Sequence, residues 1–350
     1  MIRRRRFQAR RSSQRGFTLI ELMVSLVLFA LVVTGMMAVA VSMISGYRDQ
    51  EVTISTEAAT RASIDFMTNA LHNASTGVST FDNLVNLNVG ACTLGAIQIL
   101  PTQVNPAPLT NTSDQITITF ASGAVFTTTT GPYAGTAGAA IAVMDSTQIA
   151  VGDYVIVTNF ENGHFIRVNA TSNSTPGTIT VDNPTCTGAG AKLPTGGYIA
   201  GATVIRAMRA TFAIGVVPGD FGSNVPVLTM DADGEGPLGV EPIAEGIEDL
   251  QVVYGADNVT ANGILDAETT TAGTDEWYGN VNGEVVPLPL PNSTRAIRIT
   301  IVARTVRAFT GVNTFKLQAV EDRLANGATD NFRRRVLSTI VEIRNLQGSP

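Results

Sequence analysis

Few residues in this chain are placed to do chemistry, and the most unusual of them is an acid. Glu21 stands at the head of an apolar run: Leu22 to Ile44 are 23 consecutive positions without a charge. A carboxylate at membrane depth costs about 2.5–3.5 kcal/mol or more and needs a partner. Cleavage of the chain after Gly16 would create one. The freed α-amino group of Phe17 lies four residues before Glu21, within reach of that carboxylate or of the same carboxylate in an adjoining subunit.

Other reactive groups are sparse. His72 and His164 are the only histidines. His72 sits near a helix end, where it favours the C-terminal dipole, and His164 lies in a strand-turn stretch. Neither accompanies a G-x-S-x-G nucleophile elbow, and no phosphate-binding or dinucleotide motif opens a βαβ unit. The sequence therefore reads as that of a protein without catalytic residues. Cys92 and Cys186 lie beyond the apolar run. In an exported body they are candidates for a disulfide, which would close a loop of about 95 residues and be worth up to about 4–5 kcal/mol. Two separate thiols is the alternative. Calcium takes six to eight oxygens around a Gly turn. Two acidic stretches satisfy this weakly, Asp231-Ala232-Asp233-Gly234-Glu235 and the loop from Asp257 through Asp266 to Glu268. Neither has the EF-hand spacing, so no cofactor is assigned and both read first as solvated loops.

The elements that must hold Gly16, Phe17 and Glu21 are set by charge and hydropathy. Residues 1–16 contain seven of the 23 basic residues and no acid; without them 16 basic residues face 29 acidic ones, a net charge of −13. So acidic a body argues against a nucleic-acid partner. As a helix, Leu22–Ile44 extends about 35 Å, enough to cross a hydrocarbon core of about 30 Å. The arginines before it place the N-terminus in the cytoplasm and the body outside. An ordinary signal peptide is cut after its apolar core, whereas the distinctive residues here precede it. No proline occurs between Phe17 and Asn73, which predicts one helix from Phe17 to Leu71, about 80 Å long. Ala59, Ala62, Phe66, Ala70 and Leu71 are its expected apolar stripe. Gly35 and Gly46 are its expected weak points, at about 1 kcal/mol each.

Past residue 78 the pattern changes to short strands and turns. Ile116–Phe120, Asp153–Val157, Gly177–Val181, Thr203–Ile214, Ile247–Tyr254, Arg295–Arg307 and Arg335–Arg344 read as strands, and 101–114, 131–140 and 183–201 as loops. The fold class is α+β: a spine helix covered by antiparallel sheet, with a second β-rich lobe around 115–200. Arg333-Arg334-Arg335 is either a solvated strand edge, where charge blocks unwanted pairing, or a contact for an acidic partner. Trp277-Tyr278 is either loop packing or an exposed recognition anchor.

Gly16-Phe17-Thr18-Leu19-Ile20-Glu21-Leu22-Met23-Val24 closely resembles the cleavage and methylation motif of type IV prepilins. The resemblance implies cutting after Gly16 by a membrane aspartyl peptidase, methylation of Phe17 and an assembly role for Glu21. The body resembles PilW-family minor pilins at Ala244–Gly255, at Arg295–Arg304 and at Phe332–Thr339 with Arg344-Asn345, and more loosely at Asp114–Ser122 and Val151–Thr158. The loop from Asp257 carries fewer acids than family members often have there. The organisation so implied is a basic leader (1–16), a membrane or filament-core helix (17–45), its amphipathic continuation (46–74) and a periplasmic or extracellular β-rich body (75–350). The resemblance further implies a structural subunit that initiates or caps a pilus. Its partners would be other major and minor pilins, prepilin peptidase, an inner-membrane assembly platform and, before assembly, the bacterial inner membrane itself. Motility and adhesion would be properties of the filament. A J-type pseudopilin of type II secretion and an adhesive module on a pilin stalk are the alternatives; the length fits a PilW-like pilin better than the shorter pseudopilin.

Overall fold

The computed structural model describes residues 16–74, 83–86, 97–101, 113–133, 140–160, 162–181, 197–219, 224–232, 239–257, 259, 262–271, 274–282, 284, 294–309, 315–325 and 327–343. The chain divides into two compact units, one ending at Glu51 and one beginning at Val52. The described part of the first is helix throughout from Leu19. That helix, α1 (Leu19–Asn73), continues into the second unit. It begins two residues after the expected start and ends two after the expected end. It runs through Gly35 and Gly46 without a break, so neither glycine interrupts it.

Among the described residues the second unit holds sixteen strands: β1 (Asn83–Asn86), β2 (Ile97–Pro101), β3 (Asp114–Thr128), β4 (Ala140–Val143), β5 (Tyr154–Thr158), β6 (Asn162–Thr171), β7 (Gly177–Val181), β8 (Thr203–Pro218), β9 (Asn224–Asp231), β10 (Glu241–Glu245), β11 (Ile247–Ala256), β12 (Trp277–Tyr278), β13 (Thr294–Arg304), β14 (Phe315–Lys316), β15 (Thr329–Asp330) and β16 (Arg334–Glu342). Ten of them form one large sheet, with β10-β9-β8-β5-β6-β7-β4 as its spine and β1, β2 and β3 attached beside it. A smaller sheet runs β12-β11-β13-β16, and β14 pairs with β15. Among the described residues every pairing is antiparallel except β1 with β6. The strands expected from alternation are all present. β1, β2, β4, β6, β9, β10, β12, β14 and β15 were not anticipated; β6 contains His164, and β9 contains Pro226 and pairs with β8 along eight residues.

The expected second lobe is not a separate sheet. β3 and β8, fifteen and sixteen residues long, are long enough to serve two cores. Near one end Ile116, Ile118, Ala210 and Phe212 join α1 and the small sheet. Further along, Val204 joins Tyr133, Ile141, Val155, Val157, Ile166, Ile179 and Tyr198. Tyr154, Ile156, Phe165 and Ile205 pack on the opposite face of β5. With both faces covered, all five residues of β5 are buried, which is why it reads as an unbroken apolar run rather than an alternation.

Within the body, α1 buries Thr56, Thr60, Ser63, Ile64, Met67 and Leu71. The expected stripe is therefore turned: of its members only Leu71 is buried, while Ala62 and Phe66 are exposed. The reason is that the three hydroxyls are satisfied inside the helix. Thr56 Oγ1 donates to Val52 O at 2.8 Å, Thr60 Oγ1 to Thr56 O at 2.6 Å and Ser63 Oγ to Ala59 O at 2.8 Å. A hydroxyl bonded to the carbonyl four residues back behaves as a small side chain with no unmet polar group. Around this face close Leu250, Val252, Tyr254, Ile297, Ile299, Ile301, Val341 and Ile343 of the small sheet. Gly246 makes the turn from β10 to β11 at φ +80°, and a Cβ there would lie 2.7 Å from Arg304 O, so only glycine fits.

Candidate assembly site

The N-terminal constellation is built on the first turn of α1. Thr18 precedes the helix and Glu21 is its third residue, the spacing of a capping box. Glu21 N–H donates to Thr18 Oγ1 at 3.3 Å. Glu21 Oε2 accepts from Thr18 N at 3.4 Å and Thr18 Oγ1 at 3.3 Å. The helix dipole favours an acid here as well. Among the described residues, then, the carboxylate has neutral donors only. Gly16 and Phe17 lie outside the helix and exposed, Phe17 at 85%. Along the helix every residue from Leu19 to Glu51 is exposed. Its hydroxyls are again back-bonded, Ser25 to Leu22 O at 3.0 Å and Thr34 to Ala30 O at 2.7 Å. It is long and apolar enough to cross a membrane. Such a surface has two stable environments, lipid or the helices of other subunits.

Of the acidic candidates of the body, Asp257 is seen to bind main-chain groups through its carboxylate. Asp257 accepts from Asn262 N at 2.9 Å with one oxygen and from Gly263 N at 2.7 Å with the other, and Arg295 Nη2 stands 3.5 Å away. Glu276, fully buried, accepts from Val259 N at 3.1 Å and Asp266 N at 2.9 Å. Asp275 accepts from Trp277 N at 3.1 Å and from Thr269 N. The loop is thus folded around carboxylates that bind main-chain N–H groups. Asp231 closes β9, whereas Asp233 and Glu235 lie outside the described residues, as do Cys92 and Cys186. Among the described residues no three acidic, His or Cys side chains converge as a metal site. Trp277 is buried, donates Nε1–H to Asp266 O at 3.1 Å and lies 5.1 Å under the Arg298 guanidinium; Tyr278 stacks on Tyr254 at 5.2 Å. The pair packs the loop and is no exposed anchor. His72 is exposed in the last turn of α1. The three arginines part company: Arg333 stacks on Phe309, Arg334 binds Glu248 and Asp330, and Arg335 reaches Glu57 on α1 at 3.0 Å.

One polar cluster was not singled out in the sequence. Asp249, fully buried, accepts from Ser113 Oγ at 2.7 Å and Gln251 Nε2 at 3.0 Å, and Arg323 Nη1 lies 2.6 Å from its other oxygen. Nearby, Asp114 accepts from Val252 N at 2.8 Å. Burial, then repulsion from Asp322, pushes the Asp114 carboxyl up to about 8; burial, then Asp249, pushes Asp322 up to about 6. Arg298 clamps Glu268 and Glu321 with four hydrogen bonds of 2.6–3.0 Å. These pairs hold the 315–325 segment over the face of β11 and β13 turned away from α1. The signal was present in Asp249-Leu250-Gln251-Val252, where polar and apolar residues alternate along a strand that is buried on both faces.

Comparison with protein families agrees with this geometry. Residues 11–37 match the prokaryotic N-terminal methylation motif, and residues 211–345 match the type IV pilus-assembly protein W family. Neither the curated proteins nor the solved structures yield a match. A methylation motif at the head of an exposed apolar helix, on a β-rich body, defines a type IV pilin. The second match, across β8 to β16, makes the chain PilW-like, with a minor pilin's role in pilus assembly. Pilins and prepilin peptidase are its partners in general, and the helix fits anchoring in the inner membrane before entry into the pilus. Both families point to a structural subunit.

Proposed function

We propose that the chain is inserted with its arginine-rich end in the cytoplasm, cut between Gly16 and Phe17, methylated on Phe17, and drawn by an inner-membrane assembly platform into a pilus at or near its tip. The observation that carries this reading is the position of Glu21: an acid beside 23 uncharged residues, held among the described residues only by Thr18. Leader removal places a positive amine next to that acid. Pairing with a neighbour's amine lowers the cost of the charge in lipid and fixes the axial register of two subunits at once. Successive head-to-tail contacts of this kind generate an open helical filament. A body as large as residues 75–350 is easier to seat at an end of such a filament than along a repetitive shaft.

The test is mass spectrometry of the mature N-terminus in membranes and in sheared surface fibres. Methylated Phe17 in the fibre fraction is the expected result. Glu21→Ala is expected to leave membrane insertion intact and to reduce incorporation into fibres. Fibres containing the protein with its leader still attached would defeat the reading.

A further inference from the structure

One segment of the body is held down mainly by charge. Of residues 315–325 only Leu317 and Arg323 are buried. Its other attachments are polar. Arg323 Nη1 reaches Asp249 of β11 at 2.6 Å, Glu321 accepts from Arg298 and Thr300 of β13, and Asp322 O accepts from Asn282 Nδ2 at 2.7 Å. Glu321 sits at φ +53°, a left-handed conformation that glutamate rarely adopts, so these contacts hold the backbone in a shape it would not keep alone. A groove of about 570 Å³, lined by Phe315, Leu317, Val320, Val302 and Val336, runs along the segment. A stretch with so few buried apolar contacts is of the kind that opens locally, ahead of the rest of a fold.

The charges beneath it do not balance. Arg298 is committed to Glu268 and Glu321, and Arg323 to Asp249. Asp114 and Asp322 have no cationic partner among the described residues. Asp114, 8% exposed at the head of β3, accepts from Val252 N of β11 and feels the charges of Asp322, Asp249 and Glu321. Asp322 feels Asp249, Glu321 and Glu284, the last of which accepts from Gly279 N. With the segment in place, a negative charge on Asp114 is therefore surrounded by acids and shut away from water. Lifting the segment hydrates Asp114 and carries Glu321 and Asp322 away from it.

We propose that residues 315–325 form a strap that is closed over β11 and β13 in acid and is released by proton loss from Asp114 and Asp322. The sign follows from where the protons are held. Burial and the neighbouring acids raise both carboxyls in the closed form, Asp114 to about 8 and Asp322 to about 6. The closed form thus binds protons more tightly than the lifted one, and closure weakens as pH rises through those values. The strap controls access to the polar face that Gln251, Arg298 and Thr300 present on the small sheet. This device belongs to the body alone and does not depend on processing at Gly16.

The experiment is limited trypsin digestion of the detergent-solubilised full chain at pH 6 and pH 8. Arg323 is 8% exposed and bound to Asp249, so trypsin cuts after it only when the strap has lifted. Cleavage after Arg209, 7% exposed within β8, reports unfolding of the large sheet. Each rate is divided by that of an unfolded peptide of the same local sequence at the same pH, which removes the enzyme's own pH dependence. Cleavage after Arg323 is expected to rise about tenfold or more from pH 6 to pH 8, since one proton lost on opening multiplies the open fraction about tenfold per pH unit between the two values. At both pH values it is expected to outrun cleavage after Arg209. Asp114→Asn is expected to abolish most of the rise, and Asp322→Asn, on the strap itself, to reduce it. Trp277 fluorescence verifies the fold of each variant, and the parent chain with Asp322→Asn suffices if Asp114→Asn does not fold. A rate after Arg323 that is independent of pH, equal rates at the two arginines, or a rise that survives both substitutions overturns the proposal.

Discussion

The two stretches of α1 solve opposite problems with the same chemistry. From Leu19 to Glu51 the helix is the more apolar and is wholly exposed; from Val52 to Asn73 it is the less apolar and buries a face. Hydropathy therefore ranks the two in the wrong order for burial within the chain. What they share is the treatment of hydroxyls. Thr34 is bonded to the carbonyl four residues back, as Thr56, Thr60 and Ser63 are. That bond makes a polar side chain tolerable wherever water is absent, in lipid or in a protein core. The difference lies in who supplies the apolar partner. The body stretch finds Phe212, Leu250 and Ile299 in its own sheets, whereas the first stretch depends on lipid or on other chains.

The strongest way to break this contrast is to truncate one leucine in each stretch. Leu71 is completely buried, so Leu71→Ala is expected to destabilise the body by about 2–5 kcal/mol, the range for a core leucine that leaves a cavity. Leu28 is 58% exposed, and Leu28→Ala is expected to leave body stability within about 0.5 kcal/mol of the parent. Urea unfolding of the detergent-solubilised chain measures both. The only tryptophan, Trp277, is buried in the body and reports its unfolding alone. A comparable loss from Leu28→Ala would mean that the stability of the body is not independent of the first stretch.

Acidity sharpens the contrast, because the buried charges belong to the body. Asp114 binds its proton more tightly folded than unfolded, with a folded value of about 8 against an ordinary 3.8. Between those values the native state holds more protons than the unfolded chain, so stability falls as pH rises from about 4 to about 8. Asp322 adds a slope of the same sign up to about 6. Asp330, held below its ordinary value by hydrogen bonds from Arg334, acts the other way, and its contribution disappears as pH falls below about 4. Asp114→Asn is expected to flatten the decline and to stabilise the body at pH 8 by about 1–3 kcal/mol, read from unfolding curves at pH 5 and pH 8. An unchanged slope would show that Asp114 is not the group responsible.

How much of this was legible in the sequence follows from the same contrast. Gly16, Phe17, Glu21 and the charge-free run form a local pattern, and a local pattern can be read without knowing what it touches. The strands 116–120, 154–157 and 177–181 were legible for the same reason. The buried face of the second stretch was not, since Thr60 and Ser63 look like surface residues until their hydroxyls are seen to close on their own helix. Nor was the sharing of β3 and β8 between two cores, which depends on how far each strand extends past its alternating part. The Asp249–Arg323 pair joins residues 74 positions apart, and no local period reports it. Asp257 was ambiguous in a different way: an acid before a glycine turn suits a cation and a main-chain N–H equally well.

A smaller effect is expected at the ion pair between α1 and β16. Arg335 and Glu57 meet at 3.0 Å with side chains 58% and 42% exposed. Pairs so wet contribute about 0.2–1 kcal/mol. Glu57→Gln is therefore expected to lower body stability by no more than that, with the loss vanishing in 1 M salt, where the Debye length falls to about 3 Å. A salt-independent loss would assign Glu57 a packing role instead of an electrostatic one.

The smallest expected effect is the most direct test of what the two stretches share. Thr60→Val removes a hydroxyl that is 97% buried with its residue and bonded only to Thr56 O at 2.6 Å; Thr34→Val removes the equivalent group where the helix is exposed. Valine preserves the branched shape, and the freed carbonyl keeps its place in the helical ladder, so no buried group is left unmet in either case. Each substitution is expected to change body stability by less than about 1 kcal/mol, and Thr34→Val to leave the yield of protein in membranes and fibres unaltered. A loss of several kcal/mol from Thr60→Val would mean that its hydroxyl serves a partner across the core, and the back-bonded hydroxyl would no longer explain why this face of α1, rather than the one through Phe66, is the buried one.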